Sequence, residues 1–458
     1  MSEIKCLLHW LTGILITRYI TITNENAGLY MNIEIDPAVK YKEGTKRVCG
    51  PKETLENITG ILDKVGVTRI ADITDLDRIG IPVFSAIRPS AAEGAVSIYS
   101  GKGADDTQAR ISAIMESVER CCAEQPGISK DLGKDLDEED IKPTIADSFE
   151  NLSQKVNTIN PLDLLTAEPV IKNTRLEWMV GYDLLTEENI LVPSNAVYHP
   201  YNPTNGGHQL FRSNTNGLAA GNTMEETILH GLLEVIERDA LSIAEYNKNP
   251  GREIILTPDD GVVYDLLKKF EAAGVIAKVW LLTHDIGLYT VVCALDDPVL
   301  KDPALLVMGA GSHLIPEIAV SRALTEAAQS RVVQIHGARE DTDRESVVRT
   351  FGYEAMKRLN RYWYIDSAEK VTLSDLEDKS ADTPAKDIRA TVEMLRGIIP
   401  YAVIVDISST SLNLPVVRAV LPTFEQYTLD RERKGKRMKI GRKPKTRTKR
   451  TFKPRPVT

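Results

Sequence analysis

The chain contains few of the residues that build disulfides, metal–thiolate centres or zinc sites. It has five cysteines in 458 residues, without a C-x-x-C pair, and Cys121 and Cys122 are adjacent, which does not suit an ordinary disulfide. This pattern is typical of a protein of the reducing cytoplasm and argues against a cysteine-based zinc or iron–sulfur site. The seven histidines include no H-x-x-x-H pair, so nothing in their spacing supports a zinc enzyme.

Long apolar runs are also scarce. The segment 6–22, CLLHWLTGILITRYITI, contains His9 and Arg18, is shorter than a comfortable membrane span and lacks a small-residue cleavage site. We interpret residues 1–30 as an N-terminal extension that reflects a start codon assigned too early, and we expect the protein proper to begin at Met31. A short appended hairpin or helix and a membrane anchor are the alternatives, and no membrane partner is expected.

Acidic residues are almost absent from the C-terminal segment. Residues 431–458 carry fourteen Lys or Arg against one acid, Glu432; subtracting this +13 from the total charge of −9 leaves −22 for the rest of the chain. The segment is predicted to be a flexible basic tail. It could bind an acidic partner, the acidic body of the chain or nucleic acid, although Phe452 is its only aromatic and offers little base stacking.

A complete phosphate-loop motif is missing as well. Gly101-Lys102-Gly103 lacks the required earlier glycine, and no Ser or Thr follows Lys102. Lys102 is therefore either a turn lysine in water or a lysine that reaches a phosphate by another route.

What the chain does have is an apolar helix with an acidic face. After the glycine-rich loop 216–221, Thr223 is followed three residues later by Glu226, a capping-box signature that predicts a helix running to about Glu245. Four side chains of this helix fall within roughly 80° of one another: Glu226, His230, Glu234 and Glu237. A solvated acidic face would explain one such helix, whereas burial would require cations or metal to neutralise the carboxylates.

Two other apolar helices also carry carboxylates together on one face. In the first, the side chains that share a face of roughly 100° are Ser112, Glu116, Glu119 and Arg120. In the second, the side chains within roughly 60° are Arg322, Glu326 and Gln329. Three such faces are hard to explain as three solvated surfaces. If they converge, they form a cage of oxygens for hard cations, with Arg and Gln beside it for phosphate oxygens.

Helical and strand patterns alternate irregularly along the chain. Residues 51–65 predict a helix, 178–201 a hairpin, and 129–154 a polar surface insertion or linker. Further strands are predicted at 67–74, 79–89, 95–103, 275–284, 289–295, 305–314, 401–408 and 414–424, and a mostly helical segment at 331–398. Without strict βαβ alternation, this order indicates an α+β fold with mixed or antiparallel sheets. A repeated Glu-x2-Glu-Arg hints at an internal duplication.

The three acidic stretches identify a family. SAIMESVER, NGLAAGNTMEETILHGLLEVIERDA and GSHLIPEIAVSRALTEAAQSR closely resemble the nucleotide-binding segments of the YcaO superfamily, and the resemblance covers roughly residues 50–433. It implies a YcaO domain at 31–430 with an ATP site between subdomains. Proteins of this superfamily use ATP to activate a backbone amide: a nucleophile adds to the amide carbon, the amide oxygen takes the γ-phosphoryl group, and phosphate leaves with that oxygen.

The resemblance also implies roles for individual residues. The Mg2+ ligands it implies are Glu116, Glu119, Glu226, Glu234, Glu237 and Glu326. The residues it implies at ATP, or in positioning these carboxylates, are Lys102, Ser112, Arg120, Asn222, Arg238, Arg322 and Gln329. No catalytic base is identified, and His230 is interpreted as a hydrogen-bonded core histidine.

Residues 41–100 resemble a branch of the superfamily, the methanogen proteins of the methanogenesis marker protein 1 type. That resemblance implies thioamidation of a glycine in the alpha subunit of methyl-coenzyme M reductase, with external sulfide and often a TfuA-like partner. Azoline-forming members often end in Pro-x-Pro-x-Pro, whereas this chain ends Pro454-Arg455-Pro456-Val457-Thr458. Azoline formation and a nucleotide-binding accessory role remain the alternatives, and a homodimer is left open.

Overall fold

The computed structural model of the protein describes residues 30–42, 46–126, 142–166, 170, 172–204, 206–337 and 344–440. The expectations for residues 1–29, for 129–141 within the predicted insertion, and for 441–458 within the predicted tail lie outside these residues. None of the helices in the described ranges is both long and apolar enough to cross a membrane.

The described strands form three sheets. A three-stranded antiparallel sheet has the order β1 (Arg69–Asp72), β2 (Val83–Ile87), β3 (Ile98–Lys102). The central sheet has the order β4 (Ile145–Ser148), β5 (Arg175–Asp183), β13 (Val403–Asp406), β14 (Val416–Val420), β7 (Leu218–Ala220), and β6 (Glu188–Pro193) pairs with β5. The third sheet has the order β11 (Met308–His313), β10 (Tyr289–Asp296), β9 (Ile276–Leu281), β8 (Arg252–Ile255), β12 (Lys370–Thr372).

The helices are numbered separately in chain order. They are α1 (Pro51–Thr59), α2 (Leu62–Val65), α3 (Asp106–Ala123), α4 (Phe149–Leu152), α5 (Met224–Asn247), α6 (Val262–Ala272), α7 (Pro316–His336), α8 (Arg344–Phe351), α9 (Tyr353–Leu359) and α10 (Pro384–Leu395). Only β8 and β12 pair in parallel; the other described strand pairs are antiparallel. The predicted α+β class with antiparallel and mixed sheets is confirmed, as is the hairpin, which β5 and β6 form.

Several local predictions need correction. The helix predicted at 51–65 is two helices, because the chain turns at Gly60 and Ile61 before α2 begins. The predicted linker contributes β4, which pairs with β5. The segment predicted as mostly helical contains β12, whose three residues are too few to show an alternating pattern in the sequence.

The central sheet is covered on both faces, which explains its apolar strands. Along β14, Val416 and Val420 pack in the cluster that contains α3, whereas Val417 and Ala419 pack against α5 and α10. Successive side chains of a strand point to opposite faces, so the alternation follows directly. The third sheet packs on α6 and α7.

The three acidic helices share one construction: each follows a strand after a connection of two or three residues. The strand–helix pairs are β3–α3, β7–α5 and β11–α7. At the start of α5, the Thr223 side chain accepts a hydrogen bond from the Glu226 N–H, at 3.4 Å. The predicted capping box is only half formed, because the Glu226 carboxylate accepts from the Asn222 and Val48 N–H groups instead of Thr223.

Glycine allows two of these helices to lie directly on their strands. A Cβ on Gly101 would come 2.0 Å from the backbone nitrogen of Ala113 in α3, and one on Gly309 would come 2.1 Å from the backbone nitrogen of Ala327 in α7. Backbone atoms at that distance cannot yield without moving the helix. The two glycines therefore set the height of α3 and α7 above their sheets.

Gly309→Ala should consequently lower the free energy of unfolding by about 1–3 kcal/mol, as overpacking of a close contact does. The matched control is Gly60→Ala, since Gly60 has a φ of −71° and no atom within 4 Å of an added Cβ. Urea unfolding of both variants measures the difference. Equal stability of the two variants would show that α7 can move without cost.

The folded part of the chain extends beyond the predicted boundary at residue 430. Residues 431–440, which we call the strap, bury Arg433, Arg437 and Met438. Arg437 contacts Asp239 of α5, at 2.8 Å, and Asp285, at 2.7 Å. The prediction of a flexible tail is therefore wrong for these ten residues, because Arg433, Arg437 and Met438 are buried and Arg437 pairs with the buried Asp239.

Candidate active site

The acidic faces of α3, α5 and α7 converge around Arg238. Burial alone would lower the pKa of this guanidinium, but surrounding carboxylates raise it. These carboxylates come from all three helices and are Glu326, Glu237, Glu234 and Glu116. One cation of α5 thus lies among the acids that the sequence placed on three separate helices.

On the α3 side, acidic and basic groups alternate. The Arg120 Nε donates to Glu116 Oε1 at 2.9 Å, and its Nη2 donates to the same oxygen. Glu119 Oε1 accepts from the Ala220 N–H at 2.9 Å, so α3 covers the edge strand β7. Burial, followed by the charges of Glu116 and Glu234, raises the pKa of Glu119 well above its usual range.

On the α7 side, Lys102 and Arg322 face the carboxylates. Lys102 Nζ lies 2.5 Å from Glu326 Oε2 and joins the end of β3 to α7. Burial opposes ionisation of Glu326, but Lys102 and Arg238 lower its pKa below the usual value. Glu237 Oε2 accepts from the Ser312 N–H at 3.1 Å and lies 4.0 Å from Arg322 Nη2.

On the α7 side, the charge of the Glu237 carboxylate and one hydrogen-bond donor of Arg322 are not fully matched by neighbouring groups. Burial, followed by the charge of Glu326, raises the pKa of Glu237 to about 7. The buried Nε of Arg322 has no hydrogen-bond partner among the described residues. A carboxylate that resists ionisation and a guanidinium with a free donor lie side by side, which suits a site that takes both a cation and an anion.

Val48, in the segment before α1, contacts the acidic face of α5. Glu226 Oε1 accepts from the Val48 N–H at 3.0 Å, and Oε2 accepts from the backbone and side-chain N–H groups of Asn222 at 3.2 and 3.0 Å. Asn222 therefore orients a carboxylate. The sequence contained no signal for Val48, because its contribution is a backbone amide.

The remaining predicted residues differ in their surroundings. Ser112 is partly exposed on α3, and Gln329 Nε2 donates to the Ser100 carbonyl of β3.

Burial, followed by the charge of Arg322, lowers the pKa of His230 well below its usual value and that of His313 to about 3. Both imidazoles are neutral at pH 7, and His313, which sequence reasoning missed, joins the site because β11 carries it there.

The donor set fits a hard cation, although it is not assembled as a finished metal site. Within the described ranges, no three His, Cys, Asp or Glu groups are placed to hold a metal ion. Burial raises the pKa of Glu119, Glu234 and Glu237, and neighbouring carboxylates raise these pKa values further. An oxygen-bound divalent cation between them would relieve this repulsion.

Comparison with known proteins decides the family. Residues 100–425 match the sequence model described as YcaO cyclodehydratase, ATP- and Mg2+-binding. The chain belongs to the YcaO family. The matched range contains every residue assigned above to Mg2+ or ATP by resemblance, from Lys102 to Gln329. ATP and Mg2+ are the cofactors of this family of ATP-dependent, peptide-modifying cyclodehydratases.

Relatives of the YcaO chain include proteins of methanogens. An uncharacterized protein of Methanothermobacter thermautotrophicus is 47% identical over 391 residues, which cover 85% of this chain and 97% of the relative. The structure of YcaO from Methanopyrus kandleri bound with AMPPCP and Mg2+ is similar, with a TM-score of 0.68 and 30% identity over 85% of this chain and 95% of that one. An uncharacterized protein in the tfuA 3' region of Rhizobium leguminosarum bv. trifolii is 28% identical, over 83% of this chain and 88% of the relative.

Proposed function

We propose that this YcaO protein uses ATP to convert a glycine amide of a peptide backbone to a thioamide, with sulfide supplied from outside. The proposed substrate is the alpha subunit of methyl-coenzyme M reductase. The observation that carries the proposal is the convergence of three acidic helices around Arg238, since a protein that only assists another enzyme would not need this carboxylate set. The methanogen relative with 47% identity supports the choice of substrate.

The proposed reaction balances without an oxidant or reductant. Hydrosulfide adds to the amide carbon, and the amide oxygen takes the γ-phosphoryl group of ATP, so that ADP leaves. The C–O bond then breaks, phosphate departs with the former amide oxygen, and the proton of hydrosulfide ends on phosphate. An amide oxygen is a poor leaving group, and phosphorylation makes it a good one.

We assign residue roles within this reaction as proposals. The Mg2+ ligands are Glu116, Glu119, Glu226, Glu234, Glu237 and Glu326. Bound Mg2+ would offset charge on the phosphoryl oxygens. Arg120, Asn222 and Lys102 orient three of these carboxylates, as their hydrogen bonds to Glu116, Glu226 and Glu326 indicate. The remaining nucleotide contacts are Ser112, Arg238, Arg322 and Gln329, and the free Nε of Arg322 suits a phosphate oxygen.

The described cysteines favour an external sulfur source. Burial raises the pKa of Cys121 to about 11 and also raises that of Cys293. Cys49 is partly exposed near the site, but burial and the charges of Glu53 and Glu226 raise its pKa. None of these thiols is activated as a thiolate near neutral pH. A TfuA-like protein is the proposed sulfur-delivering partner, and the relative from the tfuA 3' region supports this choice.

Reconstitution should therefore give a thioamide. We expect a glycine-containing peptide from the reductase, incubated with Mg2+, ATP and sodium sulfide, to gain the mass difference between sulfur and oxygen while ATP is consumed in step. Mass spectrometry of the peptide measures the product. The yield should be unchanged when Cys49, Cys121 and Cys122 are replaced by Ala.

The controls separate the candidate reactions. Dependence on Cys49, Cys121 or Cys122 would contradict external sulfide and show that the chain carries its own sulfur. The second candidate is azoline formation, which the description of the family as cyclodehydratases favours. It would appear as loss of water from a Cys, Ser or Thr peptide without added sulfide.

A further inference from the structure

Two buried arginines differ from the other arginines that are buried in the described ranges. Arg418 of β14 and Arg433 of the strap are each 4% exposed. Three of their nitrogens are buried without a hydrogen-bond partner in the described structure: Nε and Nη1 of Arg418, and Nη1 of Arg433. Neither guanidinium forms an ion pair within 4.0 Å with a described carboxylate. In contrast, Arg88, Arg331 and Arg437 all contact carboxylates.

Neutral groups hold both guanidiniums in place. Arg418 Nη2 donates to the Asn214 carbonyl at 2.8 Å and to Asn214 Oδ1 at 3.2 Å. Arg433 donates from Nε to the Leu165 carbonyl at 2.9 Å and from Nη2 to the Leu164 carbonyl at 2.6 Å. Its guanidinium carbon also lies 3.8 Å from the centroid of the Phe211 ring. These contacts fix the side chains, and the only described carboxylates that offset their charges are Glu234 for Arg418 and Asp430 for Arg433, neither of which is within ion-pair distance.

Hydrogen bonds hold loop 210–216, which contacts both arginines. Asn195 Oδ1 accepts from the N–H groups of Leu210 and Phe211, at 2.8 and 3.2 Å. Ser213 Oγ lies 3.1 Å from His199 Nδ1. These hydrogen bonds hold loop 210–216 in place where Asn214 contacts Arg418 and Phe211 contacts Arg433.

The surroundings are positively charged and adjoin the candidate active site. Burial lowers the pKa of Arg418 to about 9; Glu234 opposes this change, and Arg120 and Arg433 lower the pKa further. Burial, with the charges of Arg120 and Arg418, lowers the pKa of His199 to about 4. Arg418 shares a face of the central sheet with Val416 and Val420, the face that α3 covers. Arg418 therefore lies near Glu234, on the α3 side of the carboxylates that surround Arg238 (the acidic cluster), and Arg433 lies near Arg418.

A buried guanidinium with free donors is costly unless an anion compensates it. We infer that Arg418 and Arg433 form a phosphate-binding site beside Glu234. Two guanidinium charges match a phosphate dianion, and the N–H groups of three unpartnered nitrogens match the several acceptor oxygens of phosphate better than the two oxygens of a carboxylate. The phosphate is either free inorganic phosphate or the γ-phosphoryl group of ATP.

The inference that the reaction supplies the phosphate rests on the proposed function, whereas the inference that Arg418 and Arg433 bind phosphate does not. In the proposed reaction, phosphate leaves with the amide oxygen, so a site beside the acidic cluster would hold the departing group. Arg418 and Arg433 would then stabilise the leaving phosphate. Because phosphate binding can be measured without peptide or sulfide, a failure of thioamidation would leave this inference untouched, and the reverse also holds.

The test measures inorganic phosphate binding to the full chain by calorimetry and phosphorus NMR. We expect the wild-type protein to bind phosphate and its melting temperature to rise with phosphate. Arg418→Gln and Arg433→Gln should each weaken phosphate binding at least about tenfold, because a charge-assisted hydrogen bond is lost. Arg396→Gln is the control, since Arg396 is exposed and pairs with Glu393 on the surface. Arg418→Lys, which keeps the charge, should retain part of the binding.

Two further arms identify the ligand and its source. Acetate at equal concentration should not raise the melting temperature. If Mg2+-AMPPCP prevents phosphate binding and Mg2+-ADP does not, the site takes the γ-phosphoryl group; if neither prevents it, the site takes free phosphate. The inference is overturned if the wild-type protein does not bind phosphate, if acetate binds equally well, or if Arg418→Gln and Arg433→Gln bind phosphate like the wild type.

Discussion

Glu237→Gln should reduce ATP turnover by about 100- to 1000-fold, the rate equivalent of a few kcal/mol of lost charge stabilisation. Glutamine has the shape of glutamate and can still accept the hydrogen bond that the Ser312 N–H donates to Glu237 at 3.1 Å. The variant should therefore fold normally while losing one negative charge beside Glu326 and Arg322. Calorimetry should show weaker Mg2+-dependent ATP binding, and a phosphate-release assay should show the loss of turnover.

Glu234→Gln should behave in the same way on the α3 side of the cluster. Its carboxylate interacts with Arg238, Glu116 and Arg120, and burial raises its pKa. Glu56→Gln on α1 is the matched control, because the Glu56 side chain is exposed. Unchanged nucleotide affinity in both Glu234→Gln and Glu237→Gln would refute the assignment of these residues to Mg2+.

Removing the strap should lower the free energy of unfolding far more than removing the residues that follow it. A chain that ends at residue 430 loses Arg437 and leaves Asp239, which is 0% exposed, without its ion-pair partner. Breaking a buried pair by removing one partner costs about 3–5 kcal/mol. Glu425 also loses the N–H groups of Gly435 and Met438, which donate to it at 2.6 and 2.9 Å. A chain that ends at residue 440 keeps all of these contacts.

Urea unfolding of the two shortened chains measures this difference in the free energy of unfolding. A second pair of variants isolates the ion pair: Arg437→Gln should destabilise, and its neighbour Lys436→Gln, which alters an exposed side chain, should not. Asp239 lies two residues after Glu237 on α5, so the chain ending at 430 should also bind Mg2+ and ATP more weakly. Equal stabilities of the two shortened chains would show that the strap does not support α5.

Whether a feature could be predicted from the sequence depends on how far apart in the chain the interacting residues lie. Thr223, the apolar periodicity and the glutamates of α5 are local features, so the helix and its acidic face were predictable within a few residues of its ends. The same holds for the β5–β6 hairpin, whose two strands are neighbours in the chain. Arg418 carried a weaker signal: it is the one charged residue inside the apolar run LPVVRAVLP.

Short sequence patterns failed where the partner lies far along the chain. The pattern of Thr223 and Glu226 predicted a capping box, but Glu226 accepts a hydrogen bond from Val48, which is 178 residues away. The charge density after residue 430 predicted a tail in water. Arg437 instead neutralises Asp239, which is 198 residues away and buried. A residue's own neighbours cannot reveal whether such a partner exists.

The sequence by itself determined the α+β class, the three acidic helices and the family, because helix periodicity and short motifs depend on adjacent residues. Only the tertiary structure decided which charges meet. It brought Glu116, Glu234, Glu237 and Glu326 around Arg238, and it joined the strap to α5. It also left buried nitrogens of Arg418 and Arg433 without hydrogen-bond partners among the described residues. The physical reason is that burial and ion pairing depend on distances in space, which the packing of the strands and helices sets.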